Sequence, residues 1–477
     1  MASFVVVKGG KGSTPRQPTV EGYLTFRGEG AEDSCCNVHR RCQHVPSAWS
    51  VGMPLLCLIL VFPVAMAVAQ VPAPPQKQPI ALVNATVYTV SGGTIEGGTV
   101  LFDNGRIVAV GRAVDIPAHA IRIDCTGKRV YPGFITAFSQ LGLVEIDAVR
   151  ATRDVAEVGD FNPNIVAATA YNAESEIIPT VRSNGVLIAH VAPVGGLVAG
   201  RSSVMELEGW NAEEAALKRV CGVVVSFPSL SLRRSWWDSR PAEEQYREAQ
   251  ERLQKLYDFF EQARQYAQAA EAAILDKRDL RFEALRAVFR DSLPVFILAD
   301  EEQQLREALR FARHFGLRIV LVGAADAWRC LEELRQAQVP IILQRVHQLP
   351  RREEEPYDIA YRLPALLEHA GIRFAIAEEH TWPQRNLPFN VGTALAFGLS
   401  PEAALRSVTL WAAEILGIAD RVGSIEVGKD ATLIVCSGDP FDVRTNRVEY
   451  AFVRGRQLDL SNRHTRLADK YRQRYRR

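Results

Sequence analysis

The stretch VFILADEEQQLREALRFARHFGLRIVLVGAADAWRCLEELRQAQVPIILQ (295–344) decides the fold. Its apolar runs VFILAD (295–300), GLRIVLVG (316–323) and VPIILQ (339–344) are short, and each is separated from the next by a helical segment. A helix (IAYRLPALLEHA) and a strand (GIRFAIAE, 371–378) continue the series. Strand–helix alternation at this spacing predicts parallel βαβ units. An internal echo agrees: HFGLRI at 314–319 returns as HAGIRF at 369–374, two such units later. In both copies a Gly closes the helix in the left-handed conformation and the next strand starts at once. Upstream, VLIAHVAP (186–193) is another strand. The span 132–422 therefore has room for a TIM-like (β/α)8 barrel of ~250 residues with insertions.

Working outward, residues 241–275 form one long helix whose single apolar stripe packs on the barrel or on a partner. Trp236-Trp237 before it reads as core packing or as a binding platform. On the N-terminal side, β-branched runs at 80–83, 87–90, 99–110 and 120–125 are punctuated by glycines. Asp103-Asn104-Gly105 between two of them is a strong hairpin signal. From Gly423 the chain returns to β segments, so 79–131 and 423–460 are expected to pair as one composite β-sandwich.

Composition is ordinary for a globular chain: of 477 residues, 47% are hydrophobic and 23% charged, with a net charge of +1. Collagen-like, disordered and heptad-repeat classes are excluded. Without a global basic field, no nucleic-acid partner is expected. The exception is the basic tail 461–477, read as a solvated helix or as a membrane- or partner-binding one. The segment 51–69, VGMPLLCLILVFPVAMAVA, is apolar, follows Arg40-Arg41 and ends in Ala67-Val68-Ala69. It reads as a secretory signal cleaved near Ala69, with an uncleaved anchor or a buried segment as alternatives, and it implies a periplasmic or other exported location. Residues 1–50 would be an N-terminal extension and 70–78 a Pro-rich linker. Cys125, Cys221, Cys330 and Cys436 are scattered without C-x-x-C spacing and read as buried thiols.

RVYPGFITAFSQLGL (129–143) and SPEAALRSVTLWAAEILGIADRVGSIEVGKDATLIV (400–435) resemble the opening and closing segments of the barrel in the metal-dependent amidohydrolase superfamily. The resemblance covers most of 78–460 and is nearest to imidazolonepropionase-like amidohydrolases. It implies a barrel clasped by a two-part sandwich, hydrolysis of non-peptide C–N bonds of the cyclic-amide type, and a divalent metal such as zinc. It also implies His-x-His after the first strand, His at the fifth and sixth, a bridging Lys and an Asp at the last. At those places stand Phe138-Ser139-Gln140, Leu298, Gly323, no Lys, and Glu379. Lys218, Lys255 and Lys277, the lysines between 135 and 420, read as helical or helix-flanking. The nine His contain no H-x-H or H-E-x-x-H, so no metal ligands are assigned. Bound metal supplies about 12 kcal/mol toward hydroxide at neutral pH by taking water from pKa 15.7 to about 7, far more than one carboxylate base provides.

A site is expected at the C-terminal mouth of the barrel. Glu378, Glu379 and His380, two carboxylates and an imidazole just past a strand, are the catalytic candidates. Gln140 and Asp300 are the binding candidates, with Glu145 at another strand end. Val194-Gly195-Gly196-Leu197 either presents N–H groups to a ligand or is a plain turn. His190, inside an apolar strand, reads as a hydrogen-bonded core residue. The expected partner is a small-molecule substrate or ligand, with an oligomer or pairing with an active paralogue as a further reading. A C–N hydrolase with a rebuilt site, a non-catalytic binder and a structural subunit remain the three functional alternatives.

Overall fold

The computed structural model describes residues 71–231 and 240–475. The apolar segment 51–69 and Trp236-Trp237 lie outside the described residues. The first β unit contains β1 (Ile80–Tyr88), β2 (Thr94–Asp103), β3 (Arg106–Gly111), β4 (Ile121–Asp124) and β5 (Arg129–Pro132). β2 and β3 form the hairpin expected from Asp103-Asn104-Gly105: Asp103 pairs with Arg106, and Asn104 and Gly105 both take positive φ (48° and 79°). Two successive left-handed residues match the turn twist to the strand twist.

The barrel follows: β6 (Phe134–Ser139), β7 (Val186–Val191), β8 (Val198–Glu206), β9 (Ala216–Ser226), β10 (Val295–Ala299), β11 (Ile319–Gly323), β12 (Ile341–Leu343) and β13 (Phe374–Ile376), hydrogen-bonded in that order. Helices α1 (Ala167–Ala170) and α2 (Ile177–Arg182) lead into β7, and α3 (Ala212–Ala215) into β9. Helices α4 (Ala242–Glu271) and α5 (Leu280–Phe289) precede β10, while α6 (Glu302–Phe315), α7 (Leu331–Ala337) and α8 (Ile359–His369) alternate with the last strands. Helices α9 (Leu387–Ala396), α10 (Pro401–Ser407) and α11 (Leu410–Leu416) follow β13. The two echoed helix ends behave as read: Gly316 and Gly371 have φ of 67° and 71° and feed β11 and β13.

One strand departs from the parallel pattern. β8 runs antiparallel to both β7 and β9. A parallel return needs a crossover of a dozen or more residues, and neither the link from Val191 to Val198 nor the one from Glu206 to Ala216 supplies it. The chain hairpins instead. Lys218 is a second correction, since it lies in β9 and not on a helix. Helix α3 lasts one turn, and the β-branched run that follows takes over the backbone.

The barrel's interior is filled by Ile135, Ile188, Phe296, Val320, Val322, Ile342 and Ala375. β6 and β13 stand at the two ends of the hydrogen-bonded path and approach each other. Their seam is held by side chain and loop. Gln384, fully buried, accepts from Thr136 Oγ1 (2.6 Å) and donates to the carbonyls of Glu378 (2.6 Å) and His380 (2.9 Å). Ile135 N donates to Val408 O at 2.8 Å. These bonds satisfy edge groups that would otherwise be buried unpaired.

After the barrel, β14 (Leu433–Cys436), β15 (Val448–Val453) and β16 (Arg456–Gln457) join the first unit through β14 against β5. The two chain segments therefore pair, as expected, and the strands of the expected sandwich lie in one continuous sheet. Phe102 of β2 meets Phe452 of β15 at 5.1 Å although three strands lie between them. At about 4.8 Å per strand step, that contact requires the sheet to curl over its own core. Helix α4 packs inward on the barrel: Phe260 meets Phe311 of α6 at 4.9 Å, and Phe259 stacks on Phe161 at 4.2 Å. The four described cysteines are buried and free. Among the described residues, no helix is long and apolar enough to cross a membrane.

Candidate functional site

Asp300 follows β10 directly, and its carboxyl rests against Gly323 at the end of β11. A Cβ on Gly323 would stand 2.4 Å from Asp300 Oδ1, so only glycine, here at φ 97°, leaves the carboxyl its place. Protein atoms crowd Asp300 on most sides while 44% of its side-chain surface stays open, so it lines a recess. Burial pushes its carboxyl above the usual carboxylate range; Arg351 opposes the shift and the nearby charges of Glu379 and Asp326 add to it. The following turn is rigid. Glu301 caps α6 in a reciprocal capping box with Gln304, whose Oε1 also accepts from Asp300 N at 3.0 Å.

The segment between β12 and α8 carries three arginines to the carboxylates around this mouth. Arg345 faces Glu378 (3.9 Å) and Glu379 (3.6 Å), and Arg351 faces Asp300 (3.5 Å). Arg352 grips buried Asp326 with two bonds of 2.9 and 2.7 Å. Burial alone raises the Asp326 carboxyl, but the Arg352 bonds and the Glu302 N–H outweigh it and hold the group low. Sequence reasoning missed Asp326 and these arginines. Arg345 stands two residues past a strand end, and Arg351-Arg352 opens a visible charge run.

Glu378, Glu379 and His380 are contiguous in sequence but separate in environment. Glu378 is buried, accepts from Asn390 Nδ2 at 2.7 Å and from Glu379 N at 3.0 Å, and burial raises its pKa. Asn390 Oδ1 in turn accepts from Val346 N and His347 N. Glu378 thus braces the loops after β12 and β13. Glu379 and His380 are exposed, with His380 Nε2 3.9 Å from Glu379 Oε2. Gln140 is half-buried just past β6, whose terminal Ser139 Oγ accepts from Leu141 N at 2.9 Å. Glu145 is tied to Asn172 and Ser175. In the Val194-Gly195-Gly196-Leu197 segment, Val194 N and Leu197 N donate to Val155 O and Asp160 O, both at 2.8 Å.

His190 lies in the barrel interior, fully buried, with Phe296 at 4.5 Å. Its Nδ1 sits 2.7 Å from Ala137 O, which makes Nδ1 the protonated nitrogen, and Nε2 has no partner among the described residues. Burial lowers its pKa to about 4. Among the described residues, no group of three or more His, Cys, Asp or Glu is placed to hold a metal ion. A cleft of about 1020 Å³ lies at the opposite end of the barrel, by the strand starts, where Glu333 and Glu414 pair with Arg306 and Arg373.

A barrel whose strand ends carry polar groups at one mouth, clasped by a sheet made from both flanks, is the architecture of the amidohydrolases. The sequence profile of the amidohydrolase family matches residues 306–458. Imidazolonepropionase of Sphingopyxis alaskensis is 24% identical over 388 residues, spanning 76% of this chain and 92% of that protein. The Symbiobacterium thermophilum imidazolonepropionase is 27% identical over 383 residues, 72% of this chain and 84% of that one. A crystal structure of an amidohydrolase from Thermotoga maritima superposes with a TM-score of 0.71 at 27% identity, covering 80% of this chain and 99% of the other. The chain belongs to the amidohydrolase superfamily.

Proposed function

We propose that the protein is a hydrolase acting on C–N bonds of small cyclic amides, with a site rebuilt around carboxylates. The observation that carries this reading is Asp300, an accessible carboxyl at the mouth whose pKa is raised by burial and by Glu379. A carboxyl poised nearer neutrality is suited to moving protons at an amide nitrogen or an attacking water. Glu379, whose charge acts on Asp300, and His380, 3.9 Å from Glu379, are the second acid–base pair, and Gln140 offers an amide to a polar substrate. The family's zinc does not fit the donors present: Ser139, Gln140, Leu298 and Gly323 occupy the relevant strand ends, which leaves exposed Glu379 as the one carboxylate at the positions compared. No step is routed through a metal.

A panel of cyclic amides, assayed with metal content measured in parallel, tests this reading. Turnover that falls at least 10²-fold in Asp300→Asn, on protein without stoichiometric metal, is expected; turnover unchanged by that substitution overturns it. A second reading, a non-catalytic binder, is favoured by the arginines that face the mouth carboxylates. It predicts ligands that raise the melting temperature and are recovered intact. Export is supported by the 51–69 segment, and N-terminal sequencing of the mature protein should begin at Gln70; Met1 would refute it.

A further inference from the structure

Helix α12 (Arg463–Tyr475) is the most distinctive feature that the barrel does not use. Its first turn is fastened. Asn462 Oδ1 accepts from His464 N (2.9 Å) and Thr465 N (3.1 Å), His464 lies 5.9 Å from Trp382, and Arg466 pairs with Glu176 at 3.2 Å. Beyond Arg466 no described residue covers it, and no residue within the helix is buried.

The exposed part is amphipathic. Leu467, Tyr471 and Tyr475 follow each other at four-residue intervals and therefore share one face. They are 39%, 50% and 76% exposed, so that face is unpartnered among the described residues. Arg463, Lys470 and Arg474 border the stripe on one side and Arg472 on the other. Asp469 is the one acid of the helix and projects away from the stripe. The sequence continues Arg476-Arg477.

We infer that α12 docks flat on an anionic phospholipid surface, with Leu467, Tyr471 and Tyr475 in the interface and the flanking arginines and Lys470 on the headgroups. Charge complementarity selects this occupant. Four cations border the stripe, and the one carboxylate, Asp469, engages only Arg472 among the described residues, at 2.8 Å, so that with aromatic rings at the boundary the face matches a negatively charged interface.

Limited trypsin digestion reads the helix locally, because Arg466, Lys470, Arg472 and Arg474 are themselves cleavage sites. The full chain is digested with phosphatidylcholine vesicles and with vesicles containing phosphatidylglycerol. Slower cleavage at these sites on the anionic vesicles alone, reversed by 0.5 M salt, is expected. In the full chain carrying Lys470→Glu and Arg474→Glu, the lipid concentration giving half-protection from trypsin at Arg466 should rise about a hundredfold or more. Tyr471→Ser with Tyr475→Ser should also weaken protection. Equal cleavage on both vesicle types overturns the proposal, as does protection unaffected by the charge reversals. Protection by soluble polyglutamate that ignores the tyrosine substitutions would assign α12 to an acidic macromolecule and equally refute lipid docking.

Discussion

Acidifying the protein through the range where ordinary histidines titrate should unload stability through one buried ring. His190 is fully buried, with Nδ1–H on Ala137 O, the Phe296 ring 4.5 Å away and Nε2 without a partner among the described residues, and is neutral in the folded protein. Its pKa falls from 6.5 to about 4 on folding. The unfolded chain therefore binds a proton between those values that the folded chain refuses. The stability it lends is complete above pH 6.5 and is lost as the pH drops to 4. At about 1.4 kcal/mol per pH unit, the loss amounts to about 3 kcal/mol. His190→Leu removes the titration and costs about 1 kcal/mol for the stranded Ala137 carbonyl, an amount that does not depend on pH. Urea unfolding of both proteins from pH 7.5 to 4 separates the ring from the carboxylates, which titrate alike in each. The wild-type curve is expected to lie about 1 kcal/mol above the variant's at pH 7.5, to cross it on acidification and to lie about 2 kcal/mol below it near pH 4. Parallel curves, or an NMR titration placing the His190 midpoint near 6.5, would refute the reasoning.

Three further outcomes follow from contacts already described. Arg352→Ala leaves buried Asp326 without its two-pronged partner and should cost about 2–3 kcal/mol in urea unfolding; a loss below 0.5 kcal/mol would mean water replaces the guanidinium. Gly323→Ala forces a Cβ toward Asp300 and a left-handed alanine, so about 2 kcal/mol of destabilisation and a changed Asp300 titration are expected together. Gln384→Ala opens the barrel seam, and hydrogen exchange at Ile135 and Thr136 should accelerate more than exchange in β10; uniform acceleration would count against a local clasp.

Where local chemistry decides the outcome, the fold was readable. The Asp103-Asn104-Gly105 turn and the glycine helix ends at Gly316 and Gly371 depend on backbone chirality within a few residues. The composite sheet was readable because its two halves carry β patterns that no neighbour in sequence can complete. β8 escaped because Val198–Glu206 is broken by Gly200, Arg201, Ser202 and Ser203 and carries no long apolar run, and only the short links beside it reveal the reversal. At the site, Asp300 was legible from its place after a strand. Glu378 was picked out the same way, but its burial was not legible, since it depends on Asn390, twelve residues on, folding back over it. The arginine contacts needed the turn after β12, whose path no periodicity encodes.

The pairing of β5 with β14 also sets a schedule. Roughly 300 residues separate Pro132 from its partner Leu433. At about 5–20 residues per second, the ribosome takes on the order of 15–60 s to make that stretch. Throughout it, the growing chain holds an open strand edge at Val130 and has no Phe452 to cover Phe102. The first unit to emerge is thus the last to be completed, and a chain halted anywhere before Cys436 leaves a sheet ready to be recognised by a chaperone.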